Sequence, residues 1–150
     1  MTLILALDPG KTTGYAFIQN EPRGCDTIVN QIYTGECNSL SDVSSLLQLL
    51  QPAVVICESF KLYPWKAAAQ SWGIMPAPEV IGVVKLWCSQ HRTTLVMQAP
   101  TVKSTAQRKF DISLLCLVGQ HRKDAVLHLL YWSYTDGPQW IRDALKMYRK

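Results

Sequence analysis

Two short, unbroken apolar runs, each stopped by a carboxylate, constrain this chain more than any other feature of it. The first, Leu3-Ile4-Leu5-Ala6-Leu7, meets Asp8-Pro9-Gly10, and the second, Ala53-Val54-Val55-Ile56-Cys57, meets Glu58. Five apolar residues in succession suit a strand covered on both faces, since a strand with one wet face alternates. Pro9 lacks the ladder N–H and Gly10 supplies a turn, so the first strand stops at Asp8. Strands of this kind need helices on both sides, and 150 residues, 48% of them hydrophobic, suffice for one such domain over 1–150.

The rest of the chain supplies the other elements of an α/β domain. Gly14 to Gln19 reads as a strand returning in a hairpin, and a third strand is expected near Val29 to Cys37. Ser41 to Leu50 places Val43, Leu46, Leu47 and Leu50 at helical spacing, with Ser39 or Ser41 as N-cap, and Pro52 ends this crossover helix. Phe60 to Pro78 has no clean period and reads as a long ordered loop with a helical turn around Ala67 to Ala69; long loops in compact domains are usually functional. A helix from Glu79 to His91, a fifth strand from Thr94 to Gln98 and a mostly helical remainder follow. Hairpins first and crossovers later predict a mixed five-stranded sheet, three antiparallel strands and then parallel ones, flanked by helices.

Composition excludes several classes. No stretch approaches the ~20 apolar residues of a membrane span, and Asp8 interrupts the first run before it could form a signal peptide's core, so a soluble cytoplasmic protein is expected, with no membrane partner. Cys25, Cys37, Cys57, Cys88 and Cys116 are odd in number, widely spaced and without a Cys-x-x-Cys pair, which suits reduced thiols rather than a disulfide framework or zinc site. Fifteen Lys and Arg against eleven Asp and Glu give a net charge of +4, which permits a phosphate-bearing partner without requiring one.

Crossover topology makes the strands ending at Asp8 and Glu58 parallel neighbours, about 4.8 Å apart, so their carboxylates share one sheet edge. Two carboxylates that close repel, and either one is protonated or a cation lies between them. Carboxylate oxygen is the preferred ligand of hard divalent cations such as Mg²⁺. A third acid lies in His121-Arg122-Lys123-Asp124-Ala125-Val126-Leu127-His128, where His121, Asp124 and His128 share one helix face. Metal-assisted chemistry on phosphate is the natural use of such a cluster.

These motifs resemble the RuvC-like Holliday junction resolvases of the RNase H-like superfamily, especially the compact phage-type members, over residues 3 to 130. The resemblance rests on Ile4 to Gly10 with Thr13-Gly14-Tyr15-Ala16, on Val54 to Phe60, and on His121 to Ala125. Pro100 to Lys103 is similar to the family's Pro and Lys segment, with the Lys in a slightly different register. The resemblance implies an RNase H-like fold, a homodimer, and cleavage of branched DNA, a four-way junction above all, by two Mg²⁺ ions held by Asp8, Glu58 and Asp124. It implies no nucleotide cofactor. Where bacterial members have Asp-x-x-Asp, this chain has His121-x-x-Asp124, so the fourth ligand becomes imidazole, which Mn²⁺ accepts better than Mg²⁺. His121 then serves as ligand or as general acid/base, and His128 as packing residue or hydrogen-bonded support for a ligand.

For DNA, Lys61, Tyr63, Trp65 and Lys66 interleave cations with aromatic faces directly after Glu58, an arrangement that suits either stacking on opened bases or capping of the core. Lys103, Arg108 and Lys109 form a second basic cluster, and Arg142, Lys146 and Arg149 lie opposite Ile141, Leu145 and Tyr148 at helical spacing. Competing readings are an actin-like phosphate-handling domain, suggested by Asp8-Pro9-Gly10-Lys11-Thr12 but requiring a second lobe, a pre-ribosomal RNA processing nuclease sharing the opening motif, and a junction-binding adaptor that does not cut.

Overall fold

Strand β1 (Thr2–Asp8) is the centre of the sheet, because its apolar side chains are covered on both sides. In the computed structural model, which describes residues 2–20, 31–60 and 76–150, β2 (Thr13–Asn20) pairs antiparallel with β1 and sets Gly14 opposite Asp8. Strand β3 (Tyr33–Cys37) pairs antiparallel with β2. After helix α1 (Leu40–Leu50), β4 (Val54–Glu58) lies parallel to β1; after α2 (Pro76–His91), β5 (Thr94–Gln98) lies parallel to β4. The order is β3-β2-β1-β4-β5, the mixed sheet that the sequence predicts.

Alternate residues of β1 feed two separate cores. Ile4 and Ala6 join Ala16, Ile18 and Ile56 beneath α3 (Val102–Lys109), α4 (Gln120–Thr135) and α5 (Gln139–Ala144). Leu3, Leu5 and Leu7 join Val55 and Cys57 against Val43 and Leu47 of α1 and Val80, Val84 and Trp87 of α2. Helix α4 is buried without interruption from Ala125 to Leu130, His128 included, as befits a helix enclosed on every side.

Local chemistry sets the boundaries. Ser39 caps α1 by accepting from the Asp42 N–H at 3.1 Å, while the Asp42 carboxylate accepts from the Asn38 N–H at 3.0 Å. Helix α2 begins at Pro76 rather than Glu79, because proline in a first turn forfeits only an N–H that the helix leaves unused; Pro76 to Pro78 are therefore helical, not loop. Between α3 and α4 the chain is mostly irregular, with one 3₁₀ turn at Ser113–Leu115, where the sequence reading has helix. Ile141, Leu145 and Tyr148 are buried as their spacing predicts, although the segment divides into α5 and a 3₁₀ turn at Lys146–Tyr148.

Among the described residues Cys37, Cys57 and Cys88 are buried free thiols and Cys116 is an exposed one, while Cys25 lies outside them. Burial pushes the Cys57 thiol up to about 12, which makes it inert as a nucleophile. No helix among the described residues is long and apolar enough to cross a membrane.

Candidate metal centre

The parallel register of β1 and β4 pairs Leu7 with Cys57, so Asp8 and Glu58 leave the sheet side by side at one edge. Helix α4 starts at the same edge and brings Asp124, while α3, one turn after β5, brings Lys103. The Lys103 Nζ donates to all three acids: Glu58 Oε2 at 2.7 Å, Asp124 Oδ2 at 3.1 Å and Asp8 Oδ1 at 3.4 Å. Four elements thus converge on one atom.

Two histidines support the carboxylates. The His121 Nδ1 donates to Asp8 Oδ2 at 2.8 Å, and its ring, 44% exposed, lies at the opening of the site. His128 is fully enclosed; its Nε2 donates to Glu58 Oε2 at 2.7 Å and its Nδ1 lies 2.7 Å from the side-chain oxygen of Gln98, which pairs with Glu58 in the β4–β5 register. Asp124 accepts at its other oxygen from the Gln120 Nε2 at 2.6 Å.

Burial raises the Asp8 carboxyl above its ordinary range, against the pull of His121 and Lys103. Burial acts on Glu58 in the same direction, but hydrogen bonds from His128 and Lys103 outweigh it and hold that carboxyl below the usual value. For Lys103, burial disfavours the ammonium, yet Glu58, Asp8 and Asp124 keep it protonated far above the ordinary lysine range. Carboxylate oxygens gather around the Lys103 ammonium at 2.7–3.4 Å, and such oxygens are donors that could hold a divalent ion. Asp8, Glu58 and His128 each offer one ligand atom within 4.8 Å of one another.

The structure brings Asp8, Glu58 and Asp124 together around Lys103 and sets His121 against Asp8. The His128 imidazole lies with Asp8 and Glu58 inside the cluster, and His121 touches Asp8 from the rim. Of Lys103, Arg108 and Lys109, the first turns into the acids while the other two are exposed. Arg108 donates to Thr105 Oγ1 at 3.4 Å, and Lys109 lies 4.5 Å over the Tyr134 ring. Arg149 shares that ring at 5.2 Å, Lys146 is exposed, and Arg142 Nε is tied to the Gly137 carbonyl at 2.8 Å. Lys61, Tyr63, Trp65 and Lys66 lie outside the described residues.

Gln98 and Gln120 escape the sequence reading because single glutamines carry no pattern. The Pro100 to Lys103 segment is the signal for Lys103, and only the fold shows that its ammonium faces the acids rather than open solvent.

No protein-family model and no curated protein sequence matches the chain. Solved structures do. Thermus thermophilus RuvC in complex with Holliday junction substrate is similar with a TM-score of 0.62 and 12% identity, over 91% of this chain and 98% of that one. Fowlpox virus resolvase in complex with Holliday junction DNA gives 0.56 and 18%, over 87% and 99%. The yeast mitochondrial Holliday junction resolvase gives 0.52 and 11%, over 97% and 80%. These likenesses show the fold, which is RNase H-like as the sequence motifs predict.

Proposed function

We propose that this chain, as a single nuclease domain over 1–150, is a metal-dependent endonuclease that cleaves phosphodiester bonds of branched DNA, four-way junctions in particular. The observation that carries the reading is the convergence of Asp8, Glu58 and Asp124, from three separate elements, on one cation. Similar folds solved with Holliday junction DNA supply the substrate class. Two divalent ions would supply an activated water and stabilise the leaving oxygen of an in-line displacement, Mg²⁺ or Mn²⁺ being the ions that suit these donors.

The chain's own residues hold and orient. Asp8, at the end of the central strand, shares the Lys103 ammonium with Glu58 and Asp124 and would hold metal together with them. Glu58 is locked by His128, and Asp124 by Gln120. His121 stands at the opening, where it acts as ligand to an ion or exchanges a proton with the reacting oxygen. Arg108 and Lys109 are exposed and contact the phosphates of a DNA arm, together with Lys61 and Lys66, while Tyr63 and Trp65 stack on bases opened at the branch. A second copy of the chain would place two such sites on one junction, giving paired cuts. The buried free thiols among the described cysteines suit work in a reducing cytoplasm, where the DNA is.

Purified protein, mixed with a synthetic four-way junction and Mg²⁺ or Mn²⁺, is expected to release nicked duplexes, and chelator stops the reaction. Duplex, flap and single-strand substrates measured alongside should be cut far more slowly. Tight junction binding without cutting under either metal would replace the nuclease with an adaptor.

A further inference from the structure

Lys103 enters the acidic cluster from an element that carries none of the acids. The turn after β5, closed by Val102 N–H to Ala99 O at 3.1 Å and Lys103 N–H to Pro100 O at 3.3 Å, starts α3 so that its second residue faces the sheet edge. The ammonium then bonds to one oxygen from each of Glu58, Asp124 and Asp8. Its side chain is 22% exposed, so it reaches this point from the mouth of the site and not from within the core.

Charge and space at that point are both limited. Three carboxylates against one ammonium leave an excess of negative charge, which attracts divalent ions. A divalent ion that takes the same three oxygens lies where the ammonium lies, and two cations do not share a position about 3 Å from common ligands. The Lys103 stem is flexible and opens on solvent, so the ammonium has a way out.

We propose that Lys103 is the internal cation of this site, holding the three carboxylates together until a divalent ion displaces it. The inference rests on the metal-site reading above. It has two consequences. Lys103 lowers the affinity of the site for divalent ions, because each ion that binds breaks three ammonium–carboxylate contacts. The displaced ammonium is released at the mouth, so loading with metal exposes a positive charge where the scissile phosphate would approach.

Calorimetry with Ca²⁺, which binds oxygen ligands, tests the exchange without any turnover. Lys103→Met keeps the stem and removes the charge, and is expected to bind Ca²⁺ about tenfold tighter or more than the wild type. Lys103→Arg keeps the charge and should bind no tighter than the wild type. Equal or weaker binding by Lys103→Met overturns the exchange while leaving the metal site in place; absence of Ca²⁺ binding in every form overturns both. A measurement on the wild type covers the case in which Lys103→Met fails to fold. Reductive methylation followed by mass spectrometry should label Lys103 slowly in chelator and at least severalfold faster with saturating Ca²⁺, and labelling that Ca²⁺ leaves unchanged contradicts displacement.

Discussion

Gly14 lies directly against the backbone of His121: a Cβ built on Gly14 would run into the His121 carbonyl group, so only glycine lets the first turn of α4 reach the end of β1. Because Gly14 is also the ladder partner of Asp8, the same absent side chain sets the distance between two parts of the site. Gly14→Ala should push α4 outward, lower stability by about 1–3 kcal/mol, and weaken metal binding. Gly82→Ala, in α2 with open space around its Cβ, should instead stabilise by about 0.5–1 kcal/mol. Thermal unfolding of the two variants side by side checks the contrast, and a Gly14→Ala protein as stable and as metal-competent as the wild type would show that the contact yields freely.

The opposite pKa shifts of Asp8 and Glu58 make opposite predictions for stability. Asp8 is raised, so the fold binds its proton more tightly than the unfolded chain; that contribution is full below the ordinary value of 3.8 and is lost as pH rises through the folded value. Ionised Asp8 therefore costs stability at neutral pH, and Asp8→Asn should hold or raise the melting temperature in chelator. Glu58 is lowered, so its contribution is present above the ordinary 4.5 and fades as pH falls through the folded value. Glu58→Gln should melt earlier at neutral pH, with the deficit closing in acid. Melting curves from pH 3 to 8 read both, and shifts of the same sign at neutral pH would contradict the assignment.

Much of this arrangement is legible in the sequence, for reasons that differ by residue. Asp8 and Glu58 stand out because burial on both faces turns β1 and β4 into unbroken apolar runs, and the first polar residue after each marks the sheet edge. Asp124 and His121 are legible by helical spacing. In the sequence Lys103 stands in a basic cluster with Arg108 and Lys109, where nothing shows the rotation of α3 that turns it inward. His128 of α4 meets Gln98, which the register of β5 against β4 pairs with Glu58, and no local pattern encodes a contact between residues 30 apart.

The Gln98–His128–Glu58 chain should act on metal affinity from a distance. Gln98→Leu removes the partner of the His128 Nδ1 and loosens the ring that positions Glu58. Loss of such a support typically weakens metal binding about 10–100-fold. Gln98→Glu, which keeps an oxygen facing Nδ1, should retain most of it. Calorimetry with Mn²⁺ decides, and equal affinities in the two variants would reduce His128 to a packing residue.

In the proposed nuclease His121 is the residue that would set the choice of ion. His121→Asp adds a carboxylate beside Asp8 and should shift activity from Mn²⁺ toward Mg²⁺, while His121→Ala should be severely impaired. The ratio of cleavage rates in the two metals is the readout, and a His121→Ala protein with the wild-type ratio and rate would remove the imidazole from the reaction.

Cutting and binding of one junction, measured together in the wild type and in Asp8→Asn, Glu58→Gln and Asp124→Asn, tests the proposed nuclease most directly. With Mg²⁺ or Mn²⁺ the wild type should cleave, and each variant should bind the junction with nearly unchanged affinity and produce no detectable product, because the acids hold metal while the basic side chains hold DNA. Cleavage at the wild-type rate by any of the three would contradict the account, since all three carboxylates converge on the same cation.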